Sequence, residues 1–320
     1  DESRDLAHGR GENVTALILR GKPVADKIRA EIAPFIEQFR NENGIAPTLA
    51  VVRVGNRPEA VSYALSIDGI FTRSSMGFQM HVLSEDASNE QLIARLHELT
   101  RMDDVHGIVL QRPLPRHLDL KIILREFPVA KDVEGITPSS IGDLASDMES
   151  NFRASTPSAA IEILNYYGVP IEGKRALVIG RSDILGKPMA LLLLQANATV
   201  AVAHSHTRDL AALARQAELI VAAAGRPKLV TSDMVAPGAV VIDFGVNVQG
   251  KPPVLTGDVD FDAVKETAAA ITPVPGGTGP VTTMLLMRNT LNAAQRQARQ
   301  IGMKGRIKWL PILKSPNRRR

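Results

Sequence analysis

A glycine-containing turn near the middle of the chain has the residues of an anion-binding site. Residues 175–188 read Arg-Ala-Leu-Val-Ile-Gly-Arg-Ser-Asp-Ile-Leu-Gly-Lys-Pro: an apolar strand, a turn with Gly180 and Gly186 as flexible points, and a helix opening near Pro188. The free N–H groups and the positive dipole end of such a helix face the turn and favour phosphate. With the next apolar strand, at 198–203, the segment predicts a βαβ unit of the dinucleotide-binding kind. The glycine spacing is not G-x-G-x-x-G, so an ordinary strand-to-helix turn is the alternative.

The residues after the second strand indicate which dinucleotide fits. An NAD site carries Asp or Glu about 20 residues beyond the glycines, where it binds the ribose 2′-hydroxyl. Here that place holds His204-Ser205-His206-Thr207, without a carboxylate. Arg181 and Ser205 offer a charged donor and a hydroxyl that suit a 2′-phosphate, so the sequence favours NADP over NAD. The two histidines are interpreted as polar strand-end residues with no catalytic role.

Two carboxylates one residue apart form a second candidate site. Asp132 and Glu134 lie in the segment Lys131-Asp-Val-Glu-Gly135, between Pro128 and Pro138. The flanking prolines predict a loop. If that loop is extended, both carboxylates point the same way.

Strands that alternate with helices must position these residues. In the first half, helices are predicted to begin at Gly21, after Pro58 and near Ser88, and buried strands at 48–55, 78–83 and 106–111. In the second half we predict a helix at 156–168, strands at 219–223 and 239–243, an irregular Pro- and Gly-rich segment at 272–280, and a helix from Val281 to about Gln300. The alternation predicts an α/β fold with a parallel, doubly wound sheet, in two domains with a ligand cleft between them.

Composition limits the class of protein. The 320 residues are 44% hydrophobic and 22% charged, which is ordinary for a globular protein of about two domains. The lack of cysteine excludes disulfides and thiolate catalysis, and no apolar run reaches the roughly 20 residues of a membrane span. The isoelectric point of about 9.4 comes from residues 301–320, which carry seven basic residues and no acidic one and leave 31 basic and 34 acidic residues elsewhere. The tail is interpreted as solvated, and no nucleic-acid partner is predicted.

Taken in order, the motifs resemble those of the methylenetetrahydrofolate dehydrogenase/cyclohydrolase family, the bifunctional folate enzymes. The resemblance covers about residues 16–300, with the motifs in the family's order. It is carried by Arg20-Gly-Lys-Pro-Val-Ala25, Val54-Gly55 with Tyr63, His106-Gly-Ile-Val-Leu-Gln-Arg-Pro-Leu-Pro115, the 131–135 loop, Val178-Ile-Gly-Arg-Ser182 with Gly186 and Pro188, His204-Ser205, Val241-Ile-Asp-Phe-Gly-Val-Asn247, and Thr272-Pro-Val-Pro-Gly-Gly-Thr-Gly-Pro280.

The resemblance implies a set of site residues. The implied catalytic residues are Tyr63, Gln111 and Glu134. Tyr63 would stack on the folate with Gln111 beside it, and Glu134 stands where the family has an aspartate that accepts hydrogen bonds from the pterin. Asp132 is the alternative for that role. The rest of the substrate pocket would comprise Ile67, Leu110, Arg112, Pro275, Gly276, Gly277, Thr278 and Gly279. The implied NADP contacts are Gly180, Arg181, Ser182, Gly186, Ser205 and Val246. A core aromatic role for Tyr63 and a strand-end role for Gln111 are the alternatives.

Ile67 is the main departure from the family. The family places its active-site lysine four residues after the tyrosine, one helical turn away. Here that residue is Ile67, no lysine occurs between Lys27 and Lys121, and an aliphatic side chain cannot carry a proton. The segment that follows, 68–78, is about two residues longer than the family's usual spacing. Ile67→Lys is expected to restore some hydrolysis if the helix keeps the family's register.

The sequence therefore predicts an NADP-dependent oxidation of 5,10-methylenetetrahydrofolate to the methenyl form, with cyclohydrolase activity lost or reduced. The alternative is a non-catalytic folate- or NADP-binding homologue with an interaction or regulatory role. The predicted folate-binding domain comprises 16–155 plus 281–300, the NADP-binding domain 156–280, and flexible tails the remainder. A cytoplasmic homodimer is expected, with no metal, nucleic-acid or membrane partner.

Overall fold

Two parallel β-sheets with helices on their faces organise the part of the chain that the computed structural model describes, residues 15–148, 152–250 and 254–300. The strands are β1 (Leu17–Ile18), β2 (Thr48–Val54), β3 (Gly77–Leu83), β4 (Gly107–Leu110), β5 (Arg175–Ile179), β6 (Thr199–Ala203), β7 (Leu219–Ala222), β8 (Val240–Asp243), β9 (Asn247–Gln249), β10 (Val254–Thr256) and β11 (Ala270–Ile271). The helices are α1 (Gly21–Asn43), α2 (Pro58–Arg73), α3 (Asn89–Arg101), α4 (Leu120–Glu126), α5 (Pro138–Ala145), α6 (Ser155–Tyr166), α7 (Gly186–Gln195), α8 (Leu210–Arg215), α9 (Phe261–Val264) and α10 (Thr278–Gln300). The predicted α/β fold class is confirmed.

The smaller sheet has the order β3-β2-β4 and is parallel throughout. All seven residues of β2 are buried, as expected for a central strand with helices on both faces. Its side chains alternate between two apolar clusters. Ala50 and Val52 pack on the side of α3 and α4, and Leu49 and Val51 pack on the side of α1 and α10.

The larger sheet has the order β1-β11-β8-β7-β5-β6, and every pairing in it is parallel. Its strands β5, β7 and β8 supply Val178, Val221 and Ile242 to the apolar cluster that also contains α1 and α10, so one core continues from sheet to sheet. By its hydrogen bonds β1 belongs to this sheet. The domain division proposed from the sequence otherwise stays a prediction.

Helix ends follow from local sequence. Ser88 caps α3 in a capping box, because its side chain accepts from Gln91 N while the Gln91 side chain accepts from Ser88 N. Gly44 ends α1 in the left-handed conformation, and its N–H donates a hydrogen bond to Arg40 O. α10 begins at Thr278, three residues before the predicted Val281.

Several short elements were not predicted: β1, β11, the antiparallel β9–β10 pair, α4, α5, α8 and α9. Each is too short for a hydrophobic period to identify it. Among the described residues, no helix is long and apolar enough to cross a membrane, and no cluster of His, Asp or Glu is arranged to hold a metal ion. The predicted flexible tails, apart from residue 15, lie outside the described residues.

Candidate active site and nucleotide-binding turn

Four polar side chains meet where β4 ends beside the first turns of α2. Gln111 follows β4 directly and donates from Nε2 to Ala60 O, 2.5 Å away, in the first turn of α2. Tyr63 lies one turn further along α2, and Glu134 lies in the loop that forms a parallel bridge with β4. We call Tyr63, Gln111, Arg112 and Glu134 the polar pocket. The structure thus brings together the three residues predicted to be catalytic.

An ion pair closes one side of the polar pocket. Arg112 Nη2 lies 3.1 Å from Glu134 Oε1, and these side chains are only 20% and 15% exposed. Burial raises the pKa of Glu134, although the adjacent guanidinium of Arg112 opposes that shift. The second nitrogen of Arg112, Nη1, and the second oxygen of Glu134, Oε2, have no hydrogen-bond partner among the described residues, and the same holds for Gln111 Oε1.

Tyr63 forms the open wall of the polar pocket. Its side chain is 51% exposed, so the alternative role of a buried core aromatic is not supported. Desolvation of the phenol by the surrounding protein raises the pKa of Tyr63 to about 12, and the negative charge of Glu134 adds to that shift. The hydroxyl is therefore protonated at neutral pH, and the ring is available for stacking.

Asp132 does not point the same way as Glu134. It is completely buried, and it accepts hydrogen bonds from Ile136 N (3.1 Å), Thr137 N (2.9 Å) and Ser140 Oγ (2.8 Å). The backbone is not extended here, because a 3-10 turn at Val129–Lys131 precedes it. The prediction of Asp132 as a substrate contact is corrected: both carboxylate oxygens hold the entry to α5.

Ile67 and Leu110 are buried as well, and their roles in the substrate pocket stay predictions. Ile67 is 1% exposed and belongs to the core cluster that contains Phe71 and Val109. On α2 the fully buried residues are Ala64, Ile67 and Phe71, a helical spacing that faces the sheet. Leu110 is completely buried in the cluster on the opposite face of the smaller sheet. Neither side chain presents surface to the polar pocket.

The glycine turn, residues 180–186, is shaped by close backbone contacts. Gly180 has φ +136°, and a Cβ there would lie 2.2 Å from Ala223 O. A Cβ at Gly186 would lie 2.3 Å from Gly180 O. Only glycine fits at either position. The turn leads into the N-terminus of α7, where the positive end of the helix dipole favours the phosphates of a dinucleotide.

The side chains predicted to bind NADP lie at or near the glycine turn, and most of them are exposed. Ser182 Oγ accepts from Leu185 N and Gly186 N, both at 3.3 Å, and so holds the turn just before α7. Arg181 and Ser205 are exposed at the ends of the adjacent strands β5 and β6, and Val246 is 74% exposed. The roles of these residues in NADP binding stay predictions. Thr207 Oγ1 accepts from His204 N at 2.8 Å, which fixes the strand-end turn.

The loop of Pro275 to Gly279 joins the two halves of the molecule. Gly276 O accepts from Gly21 N at 2.8 Å, and a Cβ at Gly21 would lie 1.8 Å from Gly277 O. Pro275, Gly276 and Gly279 are exposed, whereas Gly277 and Thr278 are buried. The loop therefore rests on the start of α1, and its last two residues, Thr278 and Gly279, are already the first two of α10.

α10 also holds the loop that carries Glu134. Asn289 Nδ2 donates to Val133 O at 2.8 Å and to Arg153 O at 3.2 Å. Gly135 packs so closely on the start of α6 that a Cβ would lie 2.7 Å from Ala154 N. The position of Glu134 is thus fixed by backbone contacts with two helices.

Two buried aspartates that sequence reasoning missed organise the far side of the nucleotide region. Asp243 accepts from Gly245 N (2.7 Å), Asp258 N (3.0 Å) and Val259 N (3.0 Å), and burial raises its pKa to about 6. Asp258 accepts from Ala224 N at 2.6 Å. The available signal was a strand that ends in Asp-Phe-Gly and an Asp after Gly257, where the turns need acceptors.

Known proteins match this chain in sequence and in fold. The family model for the NAD(P)-binding domain of tetrahydrofolate dehydrogenase/cyclohydrolase matches residues 154–298, and that for the catalytic domain matches residues 19–134. The bifunctional protein FolD of Chloroflexus aurantiacus is 47% identical over 282 residues, which cover 88% of this chain and 98% of that protein.

Two solved structures are similar as well. The bifunctional FolD methylenetetrahydrofolate dehydrogenase/cyclohydrolase of Campylobacter jejuni has a TM-score of 0.84 at 38% identity and covers 88% of this chain and 99% of its own. The N5,N10-methylenetetrahydrofolate dehydrogenase-cyclohydrolase of Trypanosoma brucei, complexed with NADP cofactor and an inhibitor, has a TM-score of 0.84 at 34% identity, with 89% and 99% covered.

Proposed function

The chain belongs to the tetrahydrofolate dehydrogenase/cyclohydrolase family, and on that premise we propose that it oxidises 5,10-methylenetetrahydrofolate with NADP but hydrolyses the methenyl product little or not at all. Membership of the family and an NADP-dependent dehydrogenase agree with the expectation from the motifs. The loss of hydrolysis is the part that rests on this chain's own residues.

Ile67 carries this proposal. Hydrolysis of the methenyl group requires a water to be activated and a ring nitrogen to be protonated, and a placed acid or base typically contributes about 10²–10⁴-fold. Ile67 is aliphatic and lies in the core. Tyr63, with a pKa of about 12, supplies almost no phenolate at neutral pH. Glu134 is engaged with Arg112. With Glu134 assigned to the pterin and Tyr63 protonated, no described side chain of the polar pocket takes over the proton transfer that a lysine at position 67 would perform.

The oxidation does not require a proton carrier from the protein. NADP held at the glycine turn would supply the hydride acceptor, and the folate nitrogens would stabilise the positive charge on the methylene carbon. The protein's part is positioning. We assign stacking to Tyr63, pterin hydrogen bonds to Glu134 and Gln111, and phosphate binding to the glycine turn with Arg181 and Ser205.

The test follows both reactions in one assay. Purified protein with NADP and 5,10-methylenetetrahydrofolate is expected to form NADPH, with methenyltetrahydrofolate accumulating in equal amount. Conversion of added methenyltetrahydrofolate to 10-formyltetrahydrofolate should proceed at the rate without enzyme. Rapid enzyme-dependent conversion would refute the loss of hydrolysis. Absence of both activities, with folate still bound, would favour the alternative of a non-catalytic binding homologue.

A homodimer is the second part of the proposal. β6 is an edge strand of the larger sheet, and Leu194, Val202 and Leu213 on α7, β6 and α8 are 60%, 41% and 36% exposed. An edge strand offers unpaired backbone groups to another chain, and we assign the free edge of β6 to a second copy. Sedimentation analysis that found only monomers would refute it. A cytoplasmic location rests on the family resemblance alone.

A further inference from the structure

Three buried polar atoms without partners lie together in the polar pocket. They are Gln111 Oε1, Arg112 Nη1 and Glu134 Oε2; among the described residues only Ser158 Oγ and Gln195 Oε1 are in the same condition, and both lie elsewhere. A buried polar atom left unpaired costs about 1–3 kcal/mol. Three such atoms in one place are therefore unfavourable for folding and indicate a place where a ligand completes the hydrogen bonds.

The ion pair determines what kind of ligand that is. Arg112 uses Nη2 and Glu134 uses Oε1 in their mutual contact of 3.1 Å. The guanidinium is planar, so its second N–H group is held in a fixed direction beside the first. The pair therefore presents one donor, on Arg112, next to one acceptor, on Glu134.

A pterin has the matching edge. Its 4-oxo group accepts a hydrogen bond, and the neighbouring N3–H and 2-amino groups donate. By the family resemblance, Glu134 accepts the hydrogen bonds from the N3–H and 2-amino groups. The 4-oxo group is then left without an assigned partner. We propose that Arg112 is a specificity-determining residue that donates to the 4-oxo group of the substrate and so selects 4-oxo over 4-amino pteridines. This inference rests on the proposed function, because it names the part of the folate that one side chain recognises.

The alternative is that Arg112 only neutralises Glu134. In that case removal of Arg112 weakens every pteridine to the same extent. Donation to a specific oxygen has a different consequence, since a 4-amino group places its own N–H against the N–H of Arg112 and is disfavoured in the wild-type protein alone. A comparison of two ligands separates the two roles.

The experiment measures dissociation constants of folic acid and of its 4-amino analogue aminopterin, in which an amino group replaces the 4-oxo group and N3 carries no hydrogen. Part of any preference for folic acid therefore comes from the N3–H donated to Glu134 and does not depend on Arg112. The wild-type protein is expected to prefer folic acid by roughly tenfold to a hundredfold, the range of one hydrogen bond from a charged donor. Arg112→Leu should reduce the preference at least several-fold, to the part that comes from the N3–H, and leave the dissociation constant of NADP unchanged. Arg112→Lys, which keeps a charge beside Glu134 but lacks the planar second donor, should also lose most of the preference.

Arg116→Leu is the matched control. Arg116 is exposed in the same segment, four residues after Arg112, and its replacement should leave the preference intact. Equal losses for both ligands in Arg112→Leu, or an unchanged preference in either Arg112 variant, would overturn the assignment while folate binding itself stood. Failure of the wild-type protein to bind either ligand would overturn the proposed function and this inference together.

Discussion

The polar pocket and the glycine turn are built on opposite principles. In the polar pocket the side chains form the site: Gln111 and Glu134 are largely buried and held by hydrogen bonds, and atoms of both are left unpaired. In the glycine turn the backbone forms the site: Gly180 and Gly186 are required by contacts that exclude a Cβ, while Arg181 stands exposed at the edge.

The difference concerns what each site recognises. Phosphate is the same in every nucleotide, so backbone N–H groups and a helix dipole suffice to bind it. A heterocycle is identified by its pattern of donors and acceptors, which only placed side chains can match. Substitutions in the polar pocket should therefore change which ligand binds, whereas substitutions of the turn glycines should change whether the site forms.

Ile67→Lys should have the largest effect. The side chain lies in the core behind the polar pocket, so an unpaired ammonium there is expected to reduce the free energy of unfolding by about 3–5 kcal/mol. Restored hydrolysis stays a prediction that holds only if the helix keeps the family's register. Urea unfolding measures the change, with Ile67→Val as control at about 0.5–1.5 kcal/mol. A stable lysine variant with cyclohydrolase activity would show that position 67 reaches the pocket.

Glu134→Gln and Asp132→Asn should separate recognition from folding. Glu134→Gln is expected to weaken folate binding by about 2–3 kcal/mol, within the range for hydrogen bonds to a charged group, while NADP binding is unchanged. Asp132→Asn should mainly lower the free energy of unfolding, since its oxygens accept three protein hydrogen bonds. Calorimetric titration and urea unfolding of both variants measure this. The assignments would be reversed if only Asp132→Asn weakened folate binding.

Gly180→Ala tests whether backbone shape forms the nucleotide site. A side chain at φ +136° is strained, and its Cβ would meet Ala223 O, so a loss of about 2 kcal/mol in unfolding free energy is expected, with weaker binding of NADP and NAD alike. Gly238→Ala serves as control: it also has positive φ, but a Cβ there would meet no atom within 4 Å. Equal behaviour of the two variants would mean that backbone strain alone, and not the close approach, matters.

Arg181→Ala should have the smallest effect and should be confined to one cofactor. Because Arg181 is exposed, its contact with a 2′-phosphate is expected to contribute about 1.5 kcal/mol, near the lower end for a charge-assisted hydrogen bond. NADP should bind more weakly and NAD should be unaffected. The dissociation constants of both cofactors measure this, and equal losses for NAD and NADP would refute the 2′-phosphate assignment.

Sequence reasoning succeeded where a residue's environment is set by its neighbours in the chain. The helical spacing of Val24, Ile28 and Ile32 and the apolar run of β2 predicted α1 and the central strand of the smaller sheet. It did not predict which side chains of a helix face the sheet and which face solvent. Ile67 stands one turn after Tyr63 in sequence, yet only the packing of α2 on the sheet decides that one is buried and the other exposed.

Pairings across long separations were also out of reach. Arg112 and Glu134 are 22 residues apart, and their contact depends on the bridge between Ile108 and Asp132 that brings the loop beside β4. No local pattern encodes that bridge. The resemblance to a family placed both residues in one pocket, but it did not indicate that they form an ion pair.

α10 sets a limit on how this chain can change in length. The helix starts at the loop on the nucleotide side. Asn289, eleven residues after Thr278, donates a hydrogen bond to Val133 O, next to Glu134. One inserted residue between these points would advance Asn289 by about 1.5 Å and turn it by roughly 100° around the helix axis. Surface loops can lengthen without disturbing either site. We expect related sequences to have no insertions or deletions within residues 278–289, because the number of residues in this segment sets the distance between the two sites.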